Sequence, residues 1–155
     1  IIIKINNMIK DNKKNLDLII SDITMIQNKN EKSIYNINDK REVNYPDGSK
    51  YIGQIINGLK GGKGNFFWKN GLSYEGDWKN DIMEGKGIFK SDDINYEGDW
   101  RNGKKEGKGI ANWKNGDKYE GDWKNDIMEG KGIYYFNNQP WKGDKYEGDF
   151  KEGKK

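Results

Sequence analysis

Pairs of carboxylates two positions apart are the residues best placed for chemistry. Glu75 and Asp77 flank the glycine of Tyr-Glu-Gly-Asp-Trp, and the same motif returns at 96–100 and 119–123. Two neighbouring carboxylates can act as a general acid and a general base. A pair that is copied in repeat after repeat is more typical of architecture than of a single catalytic centre. We therefore interpret these carboxylates as structural.

A glycine-rich stretch at 58–64 resembles a phosphate-binding loop. Asn57 stands where that motif requires its first glycine, and Gly64 stands where Ser or Thr would bind magnesium. The sequence has no His and no Cys, which removes the commonest catalytic bases, thiol nucleophiles and metal ligands. We predict a non-enzymatic protein with no cofactor and no metal site.

The charge of the chain is nearly balanced, with 28 Lys and Arg against 25 Asp and Glu. Residues 43–155 contain 20 basic and 19 acidic groups, which does not give the clustered basic face that nucleic acid requires. The lack of cysteine excludes disulfides, so nothing indicates an oxidising compartment. No apolar run is long enough for a transmembrane helix or a signal peptide. We predict a cytoplasmic protein with no nucleic-acid partner and no transmembrane segment.

The dominant feature of the chain is an internal repeat. The fifteen residues YEGDWKNDIMEGKGI occupy 74–88 and again 119–133, and a looser copy occupies 96–110. The repeats begin at Tyr51, Tyr74, Tyr96, Tyr119 and Tyr146. A fixed period of 22–23 residues predicts an array in which each unit is one supersecondary element stacked on its neighbours.

Each repeat is typical of a β-hairpin. Alternation along Tyr-Glu-Gly-Asp-Trp places the aromatic residues and the glycine on one face of a strand and the carboxylates on the other. Asn-Gly or Asn-Asp then supplies a turn, and a second turn signal precedes the next tyrosine. The pattern predicts a single-layer antiparallel β-meander over about 43–155. Because aspartate tolerates positive φ less well than glycine, the two Asn-Asp turns are expected to be wider.

The turn at 80–81 also predicts a strand register. Counting outward from it, Trp78 faces Met83, Gly76 faces Gly85 and Tyr74 faces Gly87. This register pairs Glu75 with Lys86, and likewise Glu97 with Lys108 and Glu120 with Lys131. It places aromatic rings over glycines, but it also sets Asp77 opposite Glu84, which is an unfavourable pair.

Tyr-Glu-Gly-Asp-Trp followed by Gly-Lys-Gly at this period resembles the MORN (membrane occupation and recognition nexus) repeat over about 43–155. Ile55 and Phe150 replace the tryptophan in the first and last units, and an insertion follows Asn137. The resemblance implies a β-meander. It also implies scaffold, tethering or dimerisation roles, often at membranes, cilia or the cytoskeleton.

The aromatic stripe has two interpretations. It is the core that covers the glycine-rich sheet, or parts of it line a groove for a peptide or a lipid. In the second case the binding residues are three tyrosines, three tryptophans and three flanking lysines: Tyr74, Trp78, Tyr96, Trp100, Tyr119, Trp123, Lys86, Lys108 and Lys131.

The function predicted for the chain is a protein-binding scaffold, peripheral to a membrane or to the cytoskeleton. The alternative is a phospholipid-binding targeting segment of a larger enzyme, such as a phosphatidylinositol phosphate kinase or a lysine methyltransferase. Balanced charge favours protein partners, including self-association through an unpaired sheet edge, over acidic phospholipid.

Residues 1–27 contain a largely apolar seam, in which Asn12 is the single polar member. Its residues alternate at spacings of three and four: Ile2, Ile5, Ile9, Asn12, Leu16, Ile19, Ile23 and Ile26. This spacing predicts an amphipathic helix, with a self-associating coiled coil as an alternative. Abundant Asn and β-branched Ile leave disorder as a third possibility. Residues 28–42 are predicted to be a polar linker.

Overall fold

A computed structural model describes residues 12–17, 19–25 and 40–155. The chain divides into one unit that ends at Asn38 and a second that begins at Asp39. In the first unit, residues 12–17 and 19–25 are helical, as the apolar seam predicts. Leu16, Ile19 and Ile23 are 49–57% exposed. Ile2, Ile5, Ile9 and Ile26 lie outside the described residues, as does residue range 28–39 of the predicted linker.

The second unit is one antiparallel sheet of ten strands that follow one another in chain order. The strands are β1 (Lys40–Asn44), β2 (Lys50–Ile56), β3 (Leu59–Phe67), β4 (Ser73–Lys79), β5 (Ile82–Lys90), β6 (Ile94–Arg101), β7 (Lys104–Trp113), β8 (Lys118–Lys124), β9 (Ile127–Tyr135) and β10 (Lys145–Phe150). The predicted β-meander is confirmed. Its first strand begins at Lys40, slightly before the predicted start of the sheet.

All four complete hairpins use two-residue turns. Asn80 and Asp81 have φ values of 50° and 67°, and Lys79 pairs directly with Ile82 across them. The wider turns predicted for the Asn-Asp hairpins are therefore wrong. The carboxylate of Asp81 accepts a hydrogen bond from the backbone N–H of Lys60, 2.8 Å away, and this contact offsets the cost of positive φ at a non-glycine residue.

The predicted register holds only next to the turn. Trp78 pairs with Met83, as expected, but Gly76 then pairs with Gly87 instead of Gly85. Three residues, 84–86, lie opposite Asp77 in a β-bulge whose middle residue, Gly85, has φ +70°. The same shift occurs in β6–β7 and in β8–β9.

The bulge removes the unfavourable pair of Asp77 with Glu84. Asp77 instead accepts a hydrogen bond from the backbone N–H of Lys86, at 3.0 Å. The predicted glutamate–lysine pairs are wrong in consequence, because each glutamate faces an isoleucine. The observed pairs are Glu75 with Ile88, Glu97 with Ile110, and Glu120 with Ile133.

The core consists of aromatic rings packed on glycine backbone. Tyr51, Tyr74, Tyr96 and Tyr119 have no exposed surface. The ring of Tyr74 covers Gly76 on its own strand and Gly87 on the next, where a Cβ atom would collide with it. Its hydroxyl donates to the carbonyl oxygen of Asp77 at 3.0 Å. The prediction that aromatic rings lie over glycines is confirmed.

Tryptophan joins successive repeats on the same face. Trp100 Nε1 donates to the carbonyl oxygen of Gly87 at 3.2 Å, and its ring meets that of Tyr74 edge-on, with centroids 5.2 Å apart. Trp78 and Trp123 make the equivalent hydrogen bonds to Gly64 and Gly109. Buried indole N–H groups are thus satisfied by carbonyls of the preceding repeat.

Candidate functional site

The six predicted aromatic binding residues lie together on one face, which we call the aromatic face. Tyr74, Tyr96 and Tyr119 are fully buried, and the three tryptophans are 5–7% exposed. Their rings contact one another and the glycine backbone. This burial supports the core interpretation, because little ring surface remains for a ligand. A binding role for these rings stays a prediction.

The three predicted lysines lie on the opposite face, away from the aromatic rings. Each ammonium group pairs with an aspartate of the next strand: Lys86 with Asp99 at 2.5 Å, and Lys108 with Asp122 at 2.6 Å. Lys131 pairs in the same way with Asp149. The lysine side chains are 70–73% exposed. Exposed pairs of this kind contribute little stability. The aspartates nevertheless offset the positive charge that these lysines would otherwise present to a ligand.

The aspartates also stabilise the β-bulges by accepting hydrogen bonds from backbone N–H groups. Asp122 accepts hydrogen bonds from the Lys108 ammonium and from the backbone N–H of Lys131, at 2.9 Å for the latter. These bonds lower the pKa of the Asp122 carboxyl, while partial burial acts in the other direction. The repeated aspartates are therefore structural anchors, as the sequence indicates.

A groove runs across the strands on the face opposite the aromatic rings. One wall is a row of residues in direct register: Glu75, Ile88, Glu97, Ile110 and Glu120. The other wall consists of the lysine–aspartate pairs, and the floor is glycine backbone. We call this feature, with a volume of about 900 Å³, the Glu/Ile groove.

The groove places glutamate carboxylates that have no ion-pair partner within the sheet beside exposed isoleucine side chains. Within residues 40–155, neither Glu75 nor Glu97 has an ion-pair partner, because the nearby lysines are held by aspartates. Ile110 is 36% exposed. Sequence analysis missed this site because the predicted register put lysines opposite these glutamates. The available signal was the isoleucine that follows Gly-Lys-Gly in three repeats.

A buried carboxylate anchors the insertion in the fourth repeat. Asp117 is 7% exposed and accepts hydrogen bonds from Tyr134 Oη at 2.8 Å, the backbone N–H of Asn137 at 2.7 Å and Asn115 Nδ2 at 3.0 Å. Burial alone would raise the pKa of this carboxyl, but these hydrogen bonds hold it below its ordinary value. Asp117 is thus a structural residue that sequence analysis did not single out.

The described part of the chain contains no group of three or more acidic residues arranged to hold a metal ion. Among the same residues, no helix is long and apolar enough to cross a membrane.

The MORN repeat pattern matches residues 51–73, 74–93, 96–118, 119–139 and 146–155. The chain belongs to the MORN-repeat family. These segments begin at the five tyrosines that mark the repeats, and the predicted family is confirmed.

Two curated relatives share part of this MORN array. Protein TIC 100 of Arabidopsis thaliana is 45% identical over 49 residues, which is 31% of this chain and 6% of that protein. MORN repeat-containing protein 3 of Xenopus laevis is 37% identical over 62 residues, which is 39% of this chain and 22% of that protein. The similarity thus covers less than a quarter of either relative.

Proposed function

We propose that this MORN-repeat chain is a non-enzymatic scaffold that binds a protein partner along the Glu/Ile groove. The observation that carries the proposal is that Glu75 and Glu97, which have no ion-pair partner within residues 40–155, alternate with isoleucines on an open face. Glu120, at the end of the row, pairs with Lys118. The aromatic face is already occupied by its own packing, so the opposite face is the one that offers a partner both charge and apolar surface.

The chemistry of the groove selects its partner. Glu75 and Glu97 attract Lys or Arg, while Ile88 and Ile110 offer contacts to aliphatic side chains. A protein segment with basic residues interspersed among apolar ones complements both features. An anionic membrane surface does not, because Glu75 and Glu97 repel it and Lys63, Lys86 and Lys108 are already paired with aspartates. Tethering at a membrane or at the cytoskeleton would then come from the protein partner.

The test measures binding of a fluorescent peptide with alternating Lys and Leu, compared with a peptide in which Glu replaces Lys. Glu75→Lys combined with Glu97→Lys is expected to weaken binding of the Lys peptide by about tenfold or more. The matched control is Asp92→Lys with Asp93→Lys, which changes the net charge equally in an exposed turn and should alter affinity by less than about twofold.

Two results contradict the proposal. One is equal loss of peptide binding in the groove variant and in the turn variant, which would indicate a general charge effect. The other is salt-sensitive flotation of the unmodified chain on vesicles containing phosphatidylserine, combined with no preference for the Lys peptide. That outcome would support the phospholipid-binding segment instead.

A further inference from the structure

Two positions in each hairpin, the first and the third after the turn asparagine, change together from one repeat to the next. We call the first of these the turn residue and the second the junction residue. In the fifth repeat Glu152 takes the place of the asparagine. The turn residues are Gly58, Asp81, Gly103, Asp126 and Gly153. The junction residues are Lys60, Met83, Lys105, Met128 and Lys155. Odd repeats therefore carry Gly and Lys, and even repeats carry Asp and Met.

The turn residue of each repeat contacts the junction residue of the repeat before it. The backbone N–H of Asp81 donates to the carbonyl oxygen of Lys60 at 3.0 Å, and that of Gly103 donates to Met83 at 2.9 Å. The remaining two contacts, at Asp126 and Gly153, have lengths of 3.1 Å. All four interfaces thus share one backbone bond and differ only in the side chains around it.

Where an odd repeat meets an even one, the side chains form a charged contact. The Asp81 carboxylate accepts the backbone N–H of Lys60 at 2.8 Å and lies 3.1 Å from its ammonium group. The Lys60 side chain is only 14% exposed and lies beneath aromatic rings, 5.4 Å from that of Trp78. A lysine so enclosed requires a nearby carboxylate, since burial disfavours its charge.

The third and fourth repeats reproduce the bond between the carboxylate and the backbone, but not the close approach of the two charged groups. Asp126 accepts the backbone N–H of Lys105 at 2.9 Å, and the Lys105 ammonium lies 5.2 Å from the ring of Trp123. Burial lowers the pKa of Lys105, and the charge of Asp126 opposes that shift. Two independent interfaces therefore combine the same lysine, carboxylate and tryptophan.

Where an even repeat meets an odd one, a carboxylate of the even repeat already bonds the residue before the turn glycine. Glu84 accepts the backbone N–H of Asn102, and Glu129 accepts that of Glu152, both at 2.9 Å. A Cβ atom on Gly103 would lie 3.9 Å from Ile82, and one on Gly153 would lie 3.6 Å from Ile127. The preceding junction residues, Met83 and Met128, offer no cation. A carboxylate placed at either glycine would find no lysine at the junction position and would add negative charge beside that glutamate.

We propose that the turn and junction residues form a pairing rule that determines which repeat can follow which. A Lys repeat accepts an Asp-turn repeat, and a Met repeat accepts a Gly-turn repeat. The rule accounts for two of the four positions at which the copy at 96–110 differs from the copies at 74–88 and 119–133, because only every second unit occupies an equivalent environment. It also assigns an Asp-turn MORN repeat as the unit that fits beside Lys155.

The test is a double-mutant cycle in the full chain at the interface of the second and third repeats. Gly103→Asp and Met83→Lys should each lower the urea midpoint, and the two together should recover it. The coupling should amount to about tenfold in the unfolding equilibrium constant. The reciprocal cycle, Lys105→Met with Asp126→Gly, should give single variants that are less stable and a double variant close to the original chain.

Aspartate at position 103 has the same positive φ in the single variant and in the double variant. Its backbone strain therefore cancels in the cycle, and the coupling measures only the interaction between the two side chains. Additive effects within about twofold at both interfaces would overturn the rule. Equal stabilisation by Met83→Lys with and without Gly103→Asp would overturn it as well, because the lysine would then not depend on the carboxylate.

Discussion

The Tyr74 ring covers Gly87 on the neighbouring strand, and its hydroxyl reaches past that glycine to the carbonyl oxygen of Asp77, 3.0 Å away. The same ring is fully buried although the sheet has only one layer. Because glycine has no side chain, the tyrosine rings can pack directly on the backbone of the sheet and form the core there. The stability of the array depends on these positions remaining glycine.

Gly87→Ala should destabilise the sheet by about 1–3 kcal/mol, because the added methyl group would displace the Tyr74 ring from a packed site. Urea unfolding followed by tryptophan fluorescence measures the change. Gly71→Asn is the matched control: Gly71 has φ +85° and open space around it, and Asn tolerates this conformation. A Gly87→Ala variant as stable as the control would contradict the packing described here.

Trp100→Phe should cost about 1–3 kcal/mol, because it leaves the Gly87 carbonyl without the indole N–H that now lies 3.2 Å from it. Thermal unfolding monitored by circular dichroism gives the comparison. Trp141→Phe is the control, since Trp141 is 59% exposed and its replacement should change stability by less than about 0.5 kcal/mol. Equal losses in the two variants would mean that the inter-repeat hydrogen bond contributes nothing measurable.

Asp99 separates the contribution of the bulge from that of the ion pair. Its carboxylate accepts the backbone N–H of Lys108 at 3.0 Å and pairs with the exposed ammonium of Lys86. Asp99→Asn keeps an acceptor for the backbone and should cost less than about 0.5 kcal/mol, whereas Asp99→Ala should cost about 1–2 kcal/mol. If urea titration finds the two variants equally unstable, the ion pair and not the bulge contact is the dominant interaction.

Alkaline pH should unfold the array through its tyrosines. Burial raises the pKa of Tyr51 and of Tyr119 to about 12, above the value of about 10 in an unfolded chain. Stability from the protonated hydroxyls is fully present below pH 10 and is lost as the pH rises toward 12. Phenolate absorbance and circular dichroism should therefore change together for the buried rings. Complete ionisation of all nine tyrosines near pH 10 with the sheet intact would contradict this expectation.

The sequence predicted the hairpins, the aromatic face and the family, but not the neighbours across strands. The missed feature is the bulge opposite Asp77, which shifts the pairing of β4 with β5 by two residues. Because side chains alternate with a period of two, such a shift leaves every residue on its predicted face and changes only its partner. The prediction of the aromatic face was therefore correct despite the wrong register. The Glu/Ile groove could not be predicted, because it depends on which residues pair across strands.

A length difference in the sequence could have revealed the bulge. Six positions separate Tyr74 from Asn80, but eight separate Asp81 from Phe89, so equal pairing of the two strands cannot place both aromatic residues at the same level. The buried lysines were harder to foresee. Lys60 and Lys105 have the same local sequence signals as exposed lysines. They are enclosed only when aromatic rings of their own and of the next repeat pack around them.

Each bulge is fixed by a side chain and a backbone N–H of the same hairpin, as Asp77 and Lys86 illustrate. The side chain is an aspartate in three hairpins and Gln54 in the first. Alignment is thus settled within one unit and is not inherited from the preceding one. The alignment between successive hairpins is set separately, by the pairing of β3 with β4, β5 with β6 and β7 with β8. A gene segment that encodes two repeats can consequently be copied into the array with its alignment already specified, so that duplication lengthens the protein without requiring compensating changes elsewhere.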